Sequence, residues 1–223
     1  REQITAELLA AARRQLAAEG AAALSLRSVA RELGMVSSAV YRYFESRDAL
    51  LTGLIVDAYD ALGAAAEAAA ETRDGSDLDR WVITARAIPE WALDHPHEYA
   101  LLYGSPVPGY AAPETTITSG TGPSLALVGI VARAATAGRL APPSPAGAPP
   151  LSAALAAELT AVAGEIGADA VPPEAAVAFI GAWTQLFGLV SFELFGQTRN
   201  MVVDNAALFD ATVTRQALAL GLR

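Results

Sequence analysis

Apolar residues recur at helical spacing along most of the chain. Between Ile4 and Leu16 they return at every fourth position, which places them on one stripe of a helix. We predict this first helix over residues 2–19 and expect Gly20 to end it, because glycine tolerates the left-handed backbone that often follows a helix. We find no convincing strand, and the pattern therefore predicts an all-α protein.

Two short helices follow in the pattern. Apolar spacing predicts the first over residues 26–33, with Ser25 as its N-cap. The second begins after a short turn, with Ser37 as its cap, and has about seven residues by the spacing of its apolar side chains. Such a short helix is not stable alone in water. We therefore expect Val40 and Phe44 to pack on the preceding helices and to leave the opposite face exposed.

Longer helices make up the rest of the chain. Ser46 is predicted to cap a helix that runs to about Glu71. We expect a kink at Pro89, because proline lacks the amide proton that a helix interior needs. The remaining predicted segments are a helical block over 77–96, a short aromatic segment over 97–104, helices over 123–138, 152–167, 174–195 and 205–220, and a Pro-rich surface loop over 139–152.

Composition limits the class of protein. The chain has 223 residues, of which 53% are hydrophobic, so it can bury a sizeable core in one or two domains. It has no cysteine, which suits the cytoplasm and excludes disulfides. Residues 176–196 are long and apolar enough for a membrane span, but Gln185 and Glu193 interrupt them. We expect a buried or subunit-interface helix there, and no membrane association.

Charge is distributed unevenly along the chain. All 15 basic residues are Arg, and seven of them lie within residues 1–50 together with six acidic residues, a net charge of +1. The remainder carries 8 Arg against 18 acidic residues, a net charge of −10. Most of the protein should repel nucleic acid, and only the N-terminal segment can approach a phosphate backbone.

The two short helices and their connection are typical of a helix-turn-helix. Val29, Ala30 and Leu33 form the core positions of the first helix, Gly34 lies in the turn, and Val40 faces the core from the second. Such spacing also arises by chance in Ala-rich helical bundles. The order of the flanking helices, one before the pair and a long one after it, favours the helix-turn-helix.

The sequence at this point resembles the tetracycline-repressor-like (TetR) family of transcriptional regulators. The runs LRSVARELG from Leu26 and AVYRYFESRDALL from Ala39 carry the similarity, which extends over about residues 4–54. Arg47 stands where the family most often has Lys, and Tyr43 where His is common. Both side chains can still contact phosphate.

The resemblance implies an N-terminal three-helix DNA-binding domain over residues 1–48. A larger helical effector-binding and dimerisation domain over 49–223 follows it. A recognition helix enters the major groove with its N-terminal side chains toward the base edges, where Arg42 would bind guanine or a phosphate. The simpler interpretation is solvated charge for Arg42 and Arg47 and core packing for Tyr43. The predicted DNA contacts are Ser25, Arg27, Ser37, Ser38, Tyr41, Arg42, Tyr43 and Arg47.

A second copy of the chain is the next implied partner. One recognition helix reads too few base pairs for a genomic address, so we expect a homodimer on a near-palindromic double-stranded DNA operator. In the family, the last two helices of each subunit form the interface. Gly181 and Gly188 would allow another helix to approach closely; the alternative is a purely internal core helix. The predicted interface residues are Phe179, Ala182, Leu186, Leu189, Phe192 and Leu208.

A small-molecule effector is also implied. The stretch that starts at Trp91 is similar to a subgroup whose effector domain is named for Trp, His and Gly, with Trp91, His95 and Gly104 as counterparts here. Such domains enclose a pocket for a small, mainly apolar effector. Aromatic residues at helical spacing more often form core, which is the alternative. The predicted ligand-binding residues are Trp91, His95, Tyr99, Tyr103, Trp183 and Phe187.

Other classes of function have less support in the sequence. His95 and His97 are separated by Pro96, a spacing that does not suit metal ligands on a helix. There is no cysteine, no Gly-rich phosphate loop and no clear Ser/His/acid grouping, so we expect no enzyme, no cofactor and no metal site. The sequence predicts a ligand-responsive cytoplasmic regulator, by family default a repressor. The alternative is a helix-turn-helix regulator without a ligand, controlled by a protein partner.

Overall fold

The computed structural model describes residues 1–71, 75–142 and 149–223 of the chain. In these ranges the chain is helical and contains no strand, which confirms the predicted all-α class. Part of the predicted Pro-rich loop, residues 143–148, lies outside the described ranges. The helices are α1 Glu2–Glu19, α2 Leu26–Glu32, α3 Ser37–Val40, α4 Arg47–Ala70, α5 Asp77–Asp94, α6 Pro96–Tyr103, α7 Thr115–Thr136, α8 Ala153–Glu165, α9 Pro173–Leu194 and α10 Asn205–Leu220.

Two prolines and the start of α7 allow the predicted helix boundaries to be compared with the structure. Pro96 is the first residue of α6, whereas Pro89 lies inside α5, which continues to Asp94. Helix α7 begins at Thr115, well before the predicted residue 123. Its first turns contain threonine and glycine, which lower helix propensity, and packing overrides that preference. The buried Thr116 donates its hydroxyl to the Pro113 carbonyl at 2.7 Å, which anchors this early start.

Contacts divide the chain into two compact units. The N-terminal unit comprises residues 1–61 and 92–121, and the C-terminal unit comprises residues 62–91 and 122–223. Helices α4, α5 and α7 therefore contribute residues to both units. The sequence-based boundary between residues 48 and 49 remains a prediction.

The core of the N-terminal unit joins the first four helices. Its buried side chains include Leu8, Val29, Val40 and Leu50, one from each of these helices. A Cβ atom at Gly53 would lie 2.9 Å from Cε1 of Phe44, so glycine permits the close approach of α4. Residues from α6 and the following loop also pack on this core, namely Leu101, Leu102, Val107 and Tyr110.

Ion pairs and backbone bonds close the C-terminal unit. The carboxylate of the buried Asp77 accepts hydrogen bonds from Nε and Nη2 of Arg139 at 2.8 and 3.2 Å. The Leu78 amide donates to the Arg223 carbonyl at 3.3 Å, which links α5 to the residues after α10. Burial of apolar side chains such as Trp81 and Leu186 fills the interior.

Two described helices, α4 and α9, are long and apolar enough to cross a membrane by length and composition. Core helices of proteins without a membrane pass the same test. Leu54 and Leu62 of α4 and Leu186 of α9 are buried against the rest of the chain. Length and composition are therefore weak evidence for a membrane span in either helix.

Candidate nucleic-acid interface

A tight turn joins α2 to α3. Gly34 has a φ of 66°, a left-handed conformation that glycine adopts without strain. The next residue, Met35, donates its amide to the Ala30 carbonyl at 2.8 Å and so folds the chain back on α2. The exposed Val36 then stands at the N-cap of α3. This helix, turn and helix form the predicted helix-turn-helix.

Of the two predicted serine caps, one lies at its predicted position without a side-chain capping bond, and the other is wrong. Ser25 occupies the N-cap of α2, but its hydroxyl accepts no capping bond, and its amide donates to Oε1 of the buried Gln15 at 3.1 Å. Ser37 is the first residue of α3, and Val36 takes the cap position that we predicted for it. Both hydroxyls are thus uncommitted within α2 and α3. By contrast, Ser46 caps α4 as predicted, since its hydroxyl accepts from the Ala49 amide at 3.0 Å.

Helix α3 divides its side chains between core and solvent. Val40 is fully buried and Phe44, just beyond the helix, is 7% exposed. Ser38, Tyr41 and Arg42 are exposed, Tyr41 by 46%. The α-helical part is one turn, shorter than the predicted seven residues. The chain continues as a tighter turn in which the Tyr43 amide donates to the Val40 carbonyl at 2.9 Å.

Arginines on this surface differ in how they are used. Arg13 pairs with Asp57, and Arg14 pairs with Glu32. The exposed Arg27, Arg31 and Arg42 make no ion pair with any residue that the structure describes, so their charge is available to an external anion. Arg31 is absent from the predicted contacts, although its spacing of four from Arg27 places both on one stripe of α2.

Arg47 has a structural role that its sequence position does not reveal. Its Nη2 atom donates to the carbonyls of Ala21 and Ala22 at 2.9 and 3.3 Å. Nη1 lies 3.5 Å from the Asp48 carboxylate. These bonds fasten the start of α4 to the connection between α1 and α2. Tyr43 is half-buried and packs on the core of the N-terminal unit, so its ring is partly used in packing.

Comparison with known proteins decides the family. Residues 8–54 match the family model described as "Bacterial regulatory proteins, tetR family", and residues 81–216 match that described as "Tetracyclin repressor-like, C-terminal domain". The second match alone covers more than half of the chain. The chain belongs to the TetR family. It is accordingly a helix-turn-helix transcriptional regulator.

Relatives of this TetR-family chain agree with that assignment. It is 40% identical over 217 residues to the HTH-type transcriptional regulator Rv1816 of Mycobacterium tuberculosis (strain ATCC 25618 / H37Rv), a match that covers 95% of this chain and 89% of the relative. The same values hold for the HTH-type transcriptional regulator Mb1846 of Mycobacterium bovis (strain ATCC BAA-935 / AF2122/97).

Solved structures share the fold. The crystal structure of the protein SCO4313 has a TM-score of 0.71 and 34% identity, and the match covers 97% of this chain and 96% of that one. A TetR variant from Acinetobacter baumannii AYE in complex with minocycline has a TM-score of 0.54 and 15% identity. The match covers 95% of this chain and 92% of that one. At that identity the likeness shows the fold alone.

The residues predicted to line a TetR-type effector pocket fall in both units. His95, Tyr99 and Tyr103 belong to the N-terminal unit, and Trp91, Trp183 and Phe187 belong to the C-terminal unit. Within the first set, the ring centroids of Tyr99 and Tyr103 lie 5.0 Å apart. Within the second, those of Trp183 and Phe187 lie 6.0 Å apart. Their assignment to one pocket remains a prediction.

Two tyrosines of the N-terminal unit have perturbed ionisation. Burial raises the pKa of the Tyr103 phenol, and the neighbouring Tyr59 and Tyr99 raise it further. Burial also raises the pKa of Tyr59, whose ring stands edge-on to Tyr103 with 6.0 Å between centroids. Both phenols are therefore neutral hydrogen-bonding groups at physiological pH.

The predicted dimer residues occupy different environments in α9 and α10. Ala182 and Leu186 are buried inside the chain itself, and Phe179 packs edge-on to Trp81 with 6.2 Å between ring centroids. Phe192 is 56% exposed, whereas Leu189 and Leu208 are half-buried. The apolar side chains that α9 itself exposes are Val177, Ile180 and Phe192.

Proposed function

We propose that this regulator is a ligand-responsive repressor that binds a near-palindromic operator as a homodimer and that a small, mainly apolar effector releases. The observation that carries the proposal is the exposed set of Ser38, Tyr41 and Arg42, with an uncommitted guanidinium, on α3 and the turn after it. A DNA-binding regulator acts in the cytoplasm, which we propose as its location.

Electrostatics support DNA contact at this surface. The chain carries a net charge of −9, yet Arg27 and Arg42 stand exposed without an ion-pair partner among the described residues. We assign Arg42 to a guanine edge or a phosphate, and Ser38 and Tyr41 to the groove. Ser37 is also predicted to face the groove, and the remaining predicted contacts, to phosphates, are Ser25, Arg27, Tyr43 and Arg47.

A near-palindromic operator requires a protein dimer with two-fold symmetry. A dimer places two recognition helices about one DNA turn apart, near 34–36 Å. The exposed apolar stripe of α9, with Ile180 and Phe192, supports an interface on that helix. A Cβ atom at Gly181 or Gly188 would meet nothing within 4 Å, so this side of α9 has room for a helix of the second copy.

A solved structure of the same fold supports the effector response. The fold accommodates a small molecule in the minocycline complex of the Acinetobacter protein. Helix α4 contributes residues to both units, so we propose that it transmits effector binding to the helix-turn-helix. We also propose the Trp-His-Gly subgroup, because the C-terminal family match spans Trp91, His95 and Gly104.

Operator binding is tested by selecting a site from random DNA and titrating it with native protein and two variants. Arg42→Ala should weaken specific binding by about 1–3 kcal/mol, because one bidentate base contact is lost. Arg133→Ala removes the same charge from an exposed position on α7 and serves as the control. Equal affinity of the Arg42 variant and native protein would remove Arg42 from the interface, and failure to select any site would reject operator binding.

A further inference from the structure

Val36 lies in the turn between α2 and α3 and exposes most of its side chain. It is 70% exposed, and among residues 1–61, all of which the structure describes, the other exposed large apolar side chain is Tyr41. Further apolar residues of the helix-turn-helix, such as Val29 and Val40, are buried in its core. Single exposed apolar side chains are common on protein surfaces, so the position of Val36 and its energetic cost determine what it signifies.

Valine is an unfavourable residue at this position of the backbone. It occupies the N-cap of α3, where serine, threonine, asparagine and aspartate are preferred because their side chains accept a backbone N–H. No side chain caps α3, although Ser37 and Ser38 follow directly. A helix of one turn has little stability of its own, so a missing cap weighs more here than in a long helix. Residues that break a local preference of this kind are expected mainly at functional sites.

The fold directs the side chain of Val36 outward. The Met35 amide donates to the Ala30 carbonyl at 2.8 Å, and the Met35 side chain packs on the core cluster that includes Val40. Apolar residues at these two positions, one before the cap and four into the helix, often pack together and fix the direction in which the chain enters. The Val36 carbonyl accepts from the Ala39 amide at 2.9 Å. Because a β-branched side chain is also stiff, Val36 presents its methyl groups in a defined direction.

The surroundings of Val36 suit a DNA surface. Residues 33–44 contain no acidic side chain, in a chain that has 24 of them. The exposed Ser38, Tyr41 and Arg42 follow closely and form the proposed groove-facing set. A recognition helix turns the side chains at its beginning toward base edges in the major groove. The inference about Val36 rests on the proposed operator binding, in which this segment enters the groove.

The major groove offers one group that matches a valine. The base edges there carry hydrogen-bond donors and acceptors, which valine cannot bond, and the C5-methyl group of thymine. We propose that Val36 reads a thymine in each operator half-site through contact between its methyl groups and that C5-methyl group. The contact removes apolar surface from water on both partners. A cytosine in the same place lacks the methyl group, and Val36 would keep water from its amino group.

Deoxyuridine substitution tests this contact with the full-length protein. An operator is selected from random DNA, and each thymine is then replaced by deoxyuridine, which removes the methyl group and keeps every hydrogen-bonding group. Replacement of one particular thymine in a half-site should weaken binding of native protein about fourfold, the effect of leaving one methyl group unburied. An operator in which no thymine has this effect would overturn the proposal.

Val36→Ser connects the methyl effect to this residue. The variant loses both methyl groups and gains a hydroxyl that can cap α3, so its unfolding midpoint should be equal to that of native protein or higher. It should bind the operator about fourfold more weakly, and deoxyuridine at the identified position should weaken its binding no further. Val36→Ala, which offers no hydroxyl to a base, should behave in the same way. If either variant discriminates thymine from deoxyuridine as native protein does, another residue reads the methyl group and the assignment of Val36 fails.

Ile117→Ser is the matched control. Ile117 is 62% exposed in the N-terminal unit but lies on α7, outside the helix-turn-helix. The control should keep native operator affinity and native discrimination of the methyl group. Salt dependence gives a further measurement, because an apolar contact releases no counterions: Val36→Ser should leave the slope of log affinity against log salt unchanged, whereas loss of a phosphate contact reduces it by about one. A reduced slope would show that the variant loses phosphate contacts, which contradicts the proposal.

The same measurements separate this inference from the proposed function. Failure to select any operator would reject operator binding, and the role of Val36 with it. An operator that native protein and Val36→Ser bind with equal affinity would leave operator binding in place and reject the role of Val36 alone. Selection repeated with Val36→Ser should lose the preference for thymine at the identified position and keep the rest of the site, which would support both.

Discussion

At the scale of single residues, two arginines that are close in sequence have different roles. Arg42 is exposed and makes no ion pair with the described residues, whereas Arg47 donates to two backbone carbonyls of the connection between α1 and α2. The sequence shows only two cations beside aromatic residues. The carbonyls that Arg47 binds lie 25 and 26 positions earlier, and no local pattern reveals them.

This division predicts opposite outcomes for two alanine variants. Arg47→Ala should lower the free energy of unfolding by about 1.5–3 kcal/mol, because two charge-assisted hydrogen bonds to carbonyls are lost. Arg42→Ala should change it by no more than about 0.5 kcal/mol, as is usual for exposed residues. Urea unfolding measures both. A stable Arg47 variant with impaired operator binding would show that phosphate contact is its main role.

Tyr103 gives a second prediction at this scale. Its pKa is raised in the folded state, so the folded protein keeps the proton that the unfolded chain loses near pH 10. Stability should be unaffected by this group below pH 10 and should fall above it. Tyr103→Phe should reduce the steepness of that fall in unfolding experiments between about pH 9 and 11. An unchanged steepness would mean that the phenol reaches solvent.

At the scale of elements, apolar periodicity located helices well and their caps poorly. The bounds of α1 and α10 match the predicted ones, because a stripe of buried side chains determines each. Ser25 lies at the N-cap of α2 as predicted but makes no side-chain capping bond, and its amide donates to the buried Gln15. The predicted cap at Ser37 is wrong, since Val36 takes that position. Tertiary partners distant in sequence override local capping preference.

Gly53 provides a test of packing between elements. Gly53→Ala should cost about 1–3 kcal/mol, because the new Cβ would lie 2.9 Å from the Phe44 ring and 3.3 Å from Cδ2 of Leu9. Gly129→Ala in α7 is the control: its nearest neighbour is the end of the flexible Arg133 side chain at 3.4 Å. The control should be neutral or gain up to about 1 kcal/mol in chemical unfolding. A neutral Gly53 variant would show that Phe44 can move aside.

At the scale of the whole molecule, the sequence predicted the fold class and the family. It did not predict which of the aromatic and interface residues are buried within the chain and which are exposed. The periodicity of α9 is apolar on more than one face, so Ala182 and Phe192 were equally good dimer candidates. Only the packing of the chain separates them, since it buries Ala182 and leaves Phe192 exposed. A second copy of the chain would stabilise the dimer mainly by covering the apolar side chains of α9 that are still exposed.

Assembly can therefore be tested on the exposed stripe. Ile180→Asp should shift the protein from dimer to monomer and reduce operator affinity, because a charge would enter an apolar interface. Ile117→Asp is the control, since Ile117 is 62% exposed in the N-terminal unit. Sedimentation velocity and circular dichroism distinguish dissociation from unfolding. Retention of the dimer by the Ile180 variant would place the interface elsewhere.

The division of the chain into two units also sorts its chromophores. The three tryptophans, Trp81, Trp91 and Trp183, all belong to the C-terminal unit. The six tyrosines, Tyr41, Tyr43, Tyr59, Tyr99, Tyr103 and Tyr110, all belong to the N-terminal unit. Fluorescence excited selectively in tryptophan therefore reports on one unit without any label, and ultraviolet difference absorbance of tyrosine reports on the other. Native protein alone can thus show which unit responds first to an added compound.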